Sequence, residues 1–129
     1  MRYAPGLFSG LSPPNPLPTP AVTILPAAYK RLQAVVTLPS DYQSAMTLTY
    51  SASTKSAAVT ATFGWLGGAT ATLAFPDFAG VTGWQDSWVP ASGTTVSWIV
   101  GGIGSTFTST ASICAEGARL KAAFVTGSI

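Results

Sequence analysis

The sequence predicts an all-β fold, an antiparallel β-sandwich of about seven strands preceded by an extended proline-rich N-terminal arm. Three observations support this prediction. Apolar and polar residues alternate with a period of two after residue 33, the polar positions are mostly Thr and Ser, and the prolines are concentrated near the N-terminus. A chain of 129 residues is long enough for one domain. From the change in composition along the chain, we assign residues 1–32 to the arm and residues 33–129 to the sandwich.

The predicted arm contains seven of the ten prolines within its first 26 residues. Prolines at alternate positions from Pro14 to Pro20 remove backbone donors and fix φ near the polyproline value, which opposes both helix and sheet interior. At about 3.1 Å per residue, the whole proline-rich stretch of the first 26 residues could span roughly 70 to 80 Å. Apolar side chains between the prolines indicate an arm that binds a partner, and removing residues 1–26 is expected to leave a folded domain. The alternatives are a disordered tail or an arm folded back on its own domain. The expected arm anchors are Leu7, Phe8, Leu11, Leu17 and Ile24.

Seven runs in the domain have the alternation of half-buried strands. Breaks are predicted at Gly67-Gly68 and Gly101-Gly102, and a turn over residues 115–118 is predicted to join the last two strands. A short helix over Ser112–Ala123 is the alternative for the final segment, although Gly117 would lie in its middle. The architecture is immunoglobulin-like without the Cys, Trp, Cys pattern of antibody domains. The predicted strands are Gln33–Leu38, Met46–Tyr50, Val59–Trp65, Ala71–Phe75, Val96–Val100, Phe107–Ile113 and Leu120–Val125.

The outward positions of these strands carry little charge, and only 8% of all residues are charged. Monomeric β proteins normally protect strand edges with Lys, Glu or Pro. Neutral Thr-rich surfaces therefore predict packing against other subunits, either as a homo-oligomer or through lattice contacts. A soluble monomer is the alternative.

A long segment over residues 76–93 joins two predicted strands and contains Phe78, Trp84 and Trp88. Loops of this length in small domains are commonly functional or internally packed. Three interpretations are open: the aromatic residues cap the core, they anchor a protein interface, or they form a sugar-stacking platform with Asp77, Gln85 and Asp86. We expect Trp84 and Trp88 to be the residues of this loop that bind a partner.

Several classes of function lack the residues that they require. The sequence has no His, which excludes a Ser-His-Asp triad and imidazole-ligated zinc, and Cys114 is its single cysteine. Asp77 and Asp86 could supply paired carboxylates, but both fit turn positions better. We therefore expect no enzyme activity, no cofactor and no metal. Six basic residues are too few for a nucleic-acid interface, and neither a signal peptide nor a membrane-spanning run is evident.

The proline-rich segment from Met1 to Pro26, the Thr-rich strands and the missing signal peptide together resemble the decoration (cement) and auxiliary structural proteins of tailed-phage virions. This resemblance implies a protein made in the host cytoplasm and located in the virion. It implies binding to the major capsid protein or other virion subunits and stabilisation of the capsid lattice. The alternatives are a carbohydrate- or surface-binding β-sandwich module and a phage tail or neck subunit.

Overall fold

The computed structural model describes residues 13–106 and 117–129, which form seven strands in two antiparallel sheets. This architecture confirms the predicted β-sandwich. The smaller sheet has the order β1-β2-β5, and the larger sheet has the order β4-β3-β6-β7. No helix within these described ranges is long and apolar enough to cross a membrane. The strands are β1 (Ala21–Leu25), β2 (Arg31–Thr37), β3 (Ala45–Ala52), β4 (Lys55–Thr62), β5 (Thr70–Ala74), β6 (Ser97–Ser105) and β7 (Leu120–Ser128).

In the described part of the chain, three single turns of helix complete the regular structure. Phe63–Leu66 form one α-helical turn between β4 and β5, and Ser40–Tyr42 and Asp86–Trp88 form 3-10 turns. The sequence analysis extends a strand through Phe63 and Trp65, and that part of the prediction is wrong. The partner strand β3 begins at Ala45, opposite Thr62, so the chain beyond Thr62 has no neighbouring backbone in that sheet.

The core lies between the two sheets and is built from alternate positions of their central strands. Every second residue of β2, β3 and β6 is buried, whereas the intervening positions are mostly less buried. Full burial of each large aliphatic side chain contributes about 1.5–3 kcal/mol to folding, which makes this interface the main source of stability. The central buried side chains are Leu32, Val36, Met46, Leu48, Tyr50, Trp98 and Val100.

The described part of the predicted arm packs against the domain. Leu17 is only 7% exposed and belongs to the core, and the Tyr42 hydroxyl donates a hydrogen bond to the carbonyl oxygen of Asn15. Asn15 also donates from its backbone and side-chain nitrogens to Asp41, at 3.1 and 2.9 Å. Of the alternatives open for the arm, residues 13–20 therefore match the one in which it folds back on its own domain.

The sheets begin at Ala21, inside the segment that the sequence analysis assigns to the arm over residues 1–32. Strand β1 pairs with β2 along its whole length, from Ala21 opposite Val35 to Leu25 opposite Arg31. These five residues contain no proline, and their β-branched members favour an extended backbone. Prolines flank the strand without interrupting it, as is common at a sheet edge. Removing residues 1–26 would therefore delete an integral strand together with Leu17.

The break predicted at Gly101-Gly102 is wrong, because strand β6 continues through both glycines, paired with β3 on one side and β7 on the other. Glycines here leave room for neighbouring groups. A Cβ on Gly102 would lie 2.9 Å from Tyr42 Cβ and 3.1 Å from Leu17 Cδ1. A Cβ on Gly104 would collide with the carbonyl oxygen of Asp41. The absence of side chains at these positions therefore lets the N-terminal segment and the Ser40–Tyr42 turn pack directly on β6.

The last strand confirms the extended prediction from Leu120 onward and excludes a helix over the same residues. Gly117 has a φ of 80°, the left-handed conformation that a glycine in the predicted turn can adopt. The predicted strand Phe107–Ile113 and the thiol of Cys114 lie outside the described residues.

Candidate interaction surface

The segment between β5 and β6 forms a packed aromatic loop at one end of the sandwich. An isolated antiparallel bridge joins Tyr29 to Ala91, and the Lys30 amide donates to the carbonyl oxygen of Pro90 at 2.8 Å. These contacts connect the C-terminal part of the loop to the turn between β1 and β2. The aromatic loop is therefore held by both its own side chains and the neighbouring backbone.

A series of rings runs from the core to the surface of this loop. The Phe78 ring lies edge-on to Phe75, with centroids 5.7 Å apart, and stacks on Trp84 at 4.5 Å with an interplanar angle of 27°. Trp84 in turn meets Trp88 in a T-shaped contact at 5.6 Å. Phe78 and Trp84 are partly buried, whereas Trp88 is 55% exposed. The inner rings extend the core, and Trp88 presents a supported aromatic surface to solvent.

The polar groups of the loop make local hydrogen bonds that fix its shape. The Tyr29 hydroxyl accepts from the Phe78 amide at 2.7 Å and donates to the carbonyl oxygen of Pro76 at 3.2 Å. Asp77 accepts from the amide of Ala79, two residues later, at 3.0 Å. The indole Nε1 of Trp84 donates to Asp86 at 2.9 Å. Both carboxylates therefore orient the loop, as the turn interpretation predicts for these two residues.

A cleft of about 430 Å³ lies beside the stacked rings. Gly80, which lines the cleft, has a φ of 76°, and Gly83 in the same loop has a φ of 87°, so both adopt the left-handed conformation. Val81, between them, is 51% exposed and adds an apolar contact that the sequence analysis does not identify. Tyr29 is also missed, because it lies about 50 residues from the loop in the sequence and its contact arises only from the fold. The lining residues are Ala28, Tyr29, Phe78, Ala79, Gly80, Val81, Trp84 and Asp86.

A second polar cluster occupies the opposite end of the sandwich, where β2 ends and the Ser40–Tyr42 turn follows. Lys121 forms an ion pair with Asp41, which also accepts the two hydrogen bonds from Asn15. The hydrogen bond from Lys121 is the main reason that the pKa of Asp41 is lowered, and the backbone hydrogen bond from Asn15 lowers it further. An open cavity of about 270 Å³ adjoins this cluster. The N-terminal segment thus meets the domain at the end opposite to the aromatic loop.

Between the two ends, the outer face of the larger sheet carries no charged side chain among the described residues. Burial alternates along its strands and places Thr47, Thr49 and Thr60 on this face, together with the exposed apolar residues Ile99 and Phe124. Lys121 lies at a position of the opposite parity and turns toward Asp41. The neutral surface expected from the sequence is therefore one continuous face of a four-stranded sheet.

The predicted partner-binding residues do not form one site. Leu17 is a core residue, whereas Ile24 is 48% exposed on the edge strand β1. Trp84 and Trp88 are in contact at the other predicted site, the aromatic loop. Within residues 13–106 and 117–129, no three His, Cys, Asp or Glu side chains gather as a metal site. The remaining predicted anchors, Leu7, Phe8 and Leu11, lie outside the described residues.

No protein-family model, curated protein or solved structure matches the chain.

Proposed function

We propose that this chain is a non-enzymatic structural protein of a virus particle, a decoration protein that binds and stabilises the capsid lattice. One observation carries the proposal: the aromatic loop and the site at which Asn15 contacts Asp41 lie at opposite ends of a charge-poor sandwich. The seven residues of β2, which separate these ends, span roughly 20 Å at about 3.3 Å per residue. A protein that contacts two neighbouring subunits needs such separated contacts.

The aromatic loop supplies the contact at one end. Tryptophan is enriched among the residues that dominate binding energy at protein interfaces. Trp88 is exposed, yet the stack of Trp84 and Phe78 beneath it restricts its movement. Little conformational entropy is then lost when this ring is covered by a partner.

The N-terminal segment supplies the contact at the other end. Because Leu17 and β1 belong to the domain, the part available as an arm is residues 1–12. Fully extended, twelve residues reach roughly 40 Å at about 3.3 Å each, about half the reach expected from the sequence. The arm therefore serves an adjacent subunit of a lattice. Two weak contacts on different subunits reinforce each other through their high effective concentration.

A carbohydrate-binding module is the second candidate function. Its specific support is the cleft of about 430 Å³ lined by Trp84, whose ring contacts the exposed Trp88, since aromatic faces pack against the C–H faces of sugars. In that function, Trp88 would stack on the sugar and Asp86 would accept from its hydroxyl groups.

Co-sedimentation tests the capsid proposal directly. The full chain is added to capsids of the virus that encodes it, prepared without this protein, and bound chain is quantified. We expect saturable binding, at least about tenfold weaker for Trp88→Ala, since loss of a central interface Trp costs about 2 kcal/mol or more. Deleting residues 1–12 should weaken binding similarly, and Thr72→Ala, an exposed change in the smaller sheet, should not. Failure of the unmodified chain to bind would contradict the proposal.

Titration of tryptophan fluorescence with polysaccharides distinguishes the alternative. A saturable response lost in Trp88→Ala but retained in Trp65→Ala would favour the glycan module, because Trp65 is exposed at the other end of the sandwich. The capsid proposal expects no such response from the isolated chain.

A further inference from the structure

Among the described strands, β7 forms one edge of the larger sheet, and half of its backbone groups point away from β6. Val96 and Ile129 exchange both backbone hydrogen bonds, at 2.9 and 3.1 Å, and bonded pairs alternate along an antiparallel ladder. With Trp98 opposite Gly127 and Val100 opposite Val125, the odd-numbered residues of β7 bond to β6. The even-numbered residues direct N–H and C=O groups to the free edge: Leu120, Ala122, Phe124, Thr126 and Ser128.

This edge lacks the protection that monomeric β proteins place on such strands. From Ala122 to Ser128 the strand contains no charged residue and no proline. The basic residues Arg119 and Lys121 lie only at its beginning, and Lys121 is paired with Asp41. Among residues 13–106 and 117–129, no strand pairs with the outward side of this nine-residue strand, which therefore offers a template for another strand.

The side chains beside this edge are apolar and exposed. Phe124 and Leu120 are 58% and 59% exposed, and Ile99 on the neighbouring strand is 42% exposed. The Phe124 ring rests over Gly101, where a Cβ would lie 2.6 Å from two ring carbons. A strand added to this edge would cover part of this apolar surface in addition to completing the backbone hydrogen bonds.

We infer that β7 pairs with the β7 strand of a second copy of this chain, antiparallel and about a two-fold axis. Because residues 122–128 carry no charge, an identical strand is not repelled, and the basic residues at the start of the strand select the direction. Antiparallel pairing sets the basic start of each strand beside the neutral end of the other. Parallel pairing would bring the basic ends together. With full overlap, Phe124 lies opposite Phe124 of the second copy, and Ala122 lies opposite Thr126. The even-numbered residues form the hydrogen-bonded pairs of this register, so their outward N–H and C=O groups bond reciprocally.

The other edges are less suited to this pairing. The outward side chains of β4 include Ser56, Ala58 and Thr60, which would bury little apolar surface. In the smaller sheet, β1 and β5 have five residues each, and prolines flank β1. The β7 edge therefore combines the greatest length with the largest exposed apolar side chains.

The dimer does not depend on the proposed capsid function, and it is tested on the isolated full chain. Sedimentation equilibrium should show a concentration-dependent species of twice the 13.2 kDa chain mass. The double variant Ala122→Lys/Thr126→Lys places like charges opposite each other at both symmetric pairs. We expect it to raise the dissociation constant at least tenfold. The variant Ala122→Lys/Thr126→Glu places opposite charges at the same pairs and should dimerise.

The matched control carries the same two lysines, four residues apart, on the other edge of the same sheet. Ser56→Lys/Thr60→Lys should dimerise like the unmodified chain. Amide hydrogen exchange provides an independent measurement: protection of the amides of Ala122, Phe124 and Thr126 should be present in the dimer and lost in the double-lysine variant. The odd-numbered amides of β7 should stay protected in both, which also shows that the variant is folded.

If the unmodified chain remains monomeric up to several hundred micromolar, the inference is overturned. Dimerisation of Ala122→Lys/Thr126→Lys with unchanged affinity would also overturn it. Loss of the dimer in Ser56→Lys/Thr60→Lys but not in Ala122→Lys/Thr126→Lys would overturn it as well. A dimer that fails to form with the Lys/Glu pair would reject the antiparallel register.

Discussion

At Gly104, the turn over Ser40–Tyr42 leaves no room for a side chain on β6. The space that a side chain would need is occupied by the backbone carbonyl of Asp41, which belongs to the turn that also contacts Asn15 and Lys121. Backbone cannot move aside as the end of a flexible side chain can. Glycine is required here for close approach and not for a special φ.

Substitution of this glycine should destabilise the protein. We expect Gly104→Ala to lower the free energy of unfolding by about 2 kcal/mol or more, because an added methyl in a packed site costs typically 1–3 kcal/mol. Urea denaturation monitored by circular dichroism measures the change. Gly68→Ala is the matched control, since Gly68 has open space around it and an ordinary φ, and it should change stability little. Equal effects of the two substitutions would contradict this account.

Two other glycines of β6 show what residue patterns alone could not predict. Gly101 and Gly102 follow an alternating run and have the composition of a turn, so the sequence predicts a break there. The reason for their presence lies in cross-strand neighbours, Phe124 over Gly101 and Tyr42 over Gly102. Those neighbours are far away in the chain, and their proximity follows only from the pairing of the strands.

At the scale of elements, residues 13–25 are a structural part of the sandwich. Proline content suggested a free arm, and it correctly describes the absence of regular structure over residues 13–20. Burial of Leu17 and pairing of β1 depend on a groove and an edge formed by later segments. Similarly, the alternation predicts a strand through Trp65, whereas the lack of a partner beyond Thr62 ends it.

Two alanine substitutions test this assignment. Leu17→Ala should lower the free energy of unfolding by about 2–5 kcal/mol, the usual cost of truncating a buried leucine. Ile24→Ala removes a similar aliphatic group from a half-exposed position on β1 and should cost clearly less. Chemical denaturation of the full chain measures both. If Leu17→Ala is as mild as Ile24→Ala, residues 13–20 do not contribute to the core.

For the whole molecule, Tyr50 links the two sheets. This residue lies on β3 of the larger sheet, and its hydroxyl donates to the carbonyl oxygen of Lys30, beside the start of β2, at 2.9 Å. Burial raises the pKa of Tyr50 from 10.0 to about 12. The folded state thus favours the neutral phenol more strongly than the unfolded state does.

The raised pKa determines the direction of a pH effect on stability. The contribution of neutral Tyr50 is fully present below pH about 10 and is lost as the pH rises through about 12, because unfolding then releases a proton. Tyr50→Phe should be less stable than the unmodified chain near pH 8, by about 1 kcal/mol for the lost hydrogen bond. The difference should shrink between pH 10 and 12. Denaturant titrations at each pH measure it, and a constant difference would contradict the linkage.

The sandwich class itself could be predicted because period-two alternation and Thr-rich outward positions are local properties of each strand. Which residues share a contact surface could not be predicted from the sequence. Trp84 and Trp88 were identified by residue type, but the distinction between the supported inner ring and the exposed outer ring depends on Phe78 and Tyr29. The position of β7 at a sheet edge could not be predicted from the sequence either, because strand order is a property of the assembled sheets.

The attachment of residues 13–20 also has a mechanical consequence. Tension applied from the N-terminal side would first load the hydrogen bonds between Asn15 and Asp41 and the buried side chain of Leu17. Only after these contacts rupture would the load reach β1. The contacts of residues 13–20 would therefore bear such a load before the strands of the sheet do.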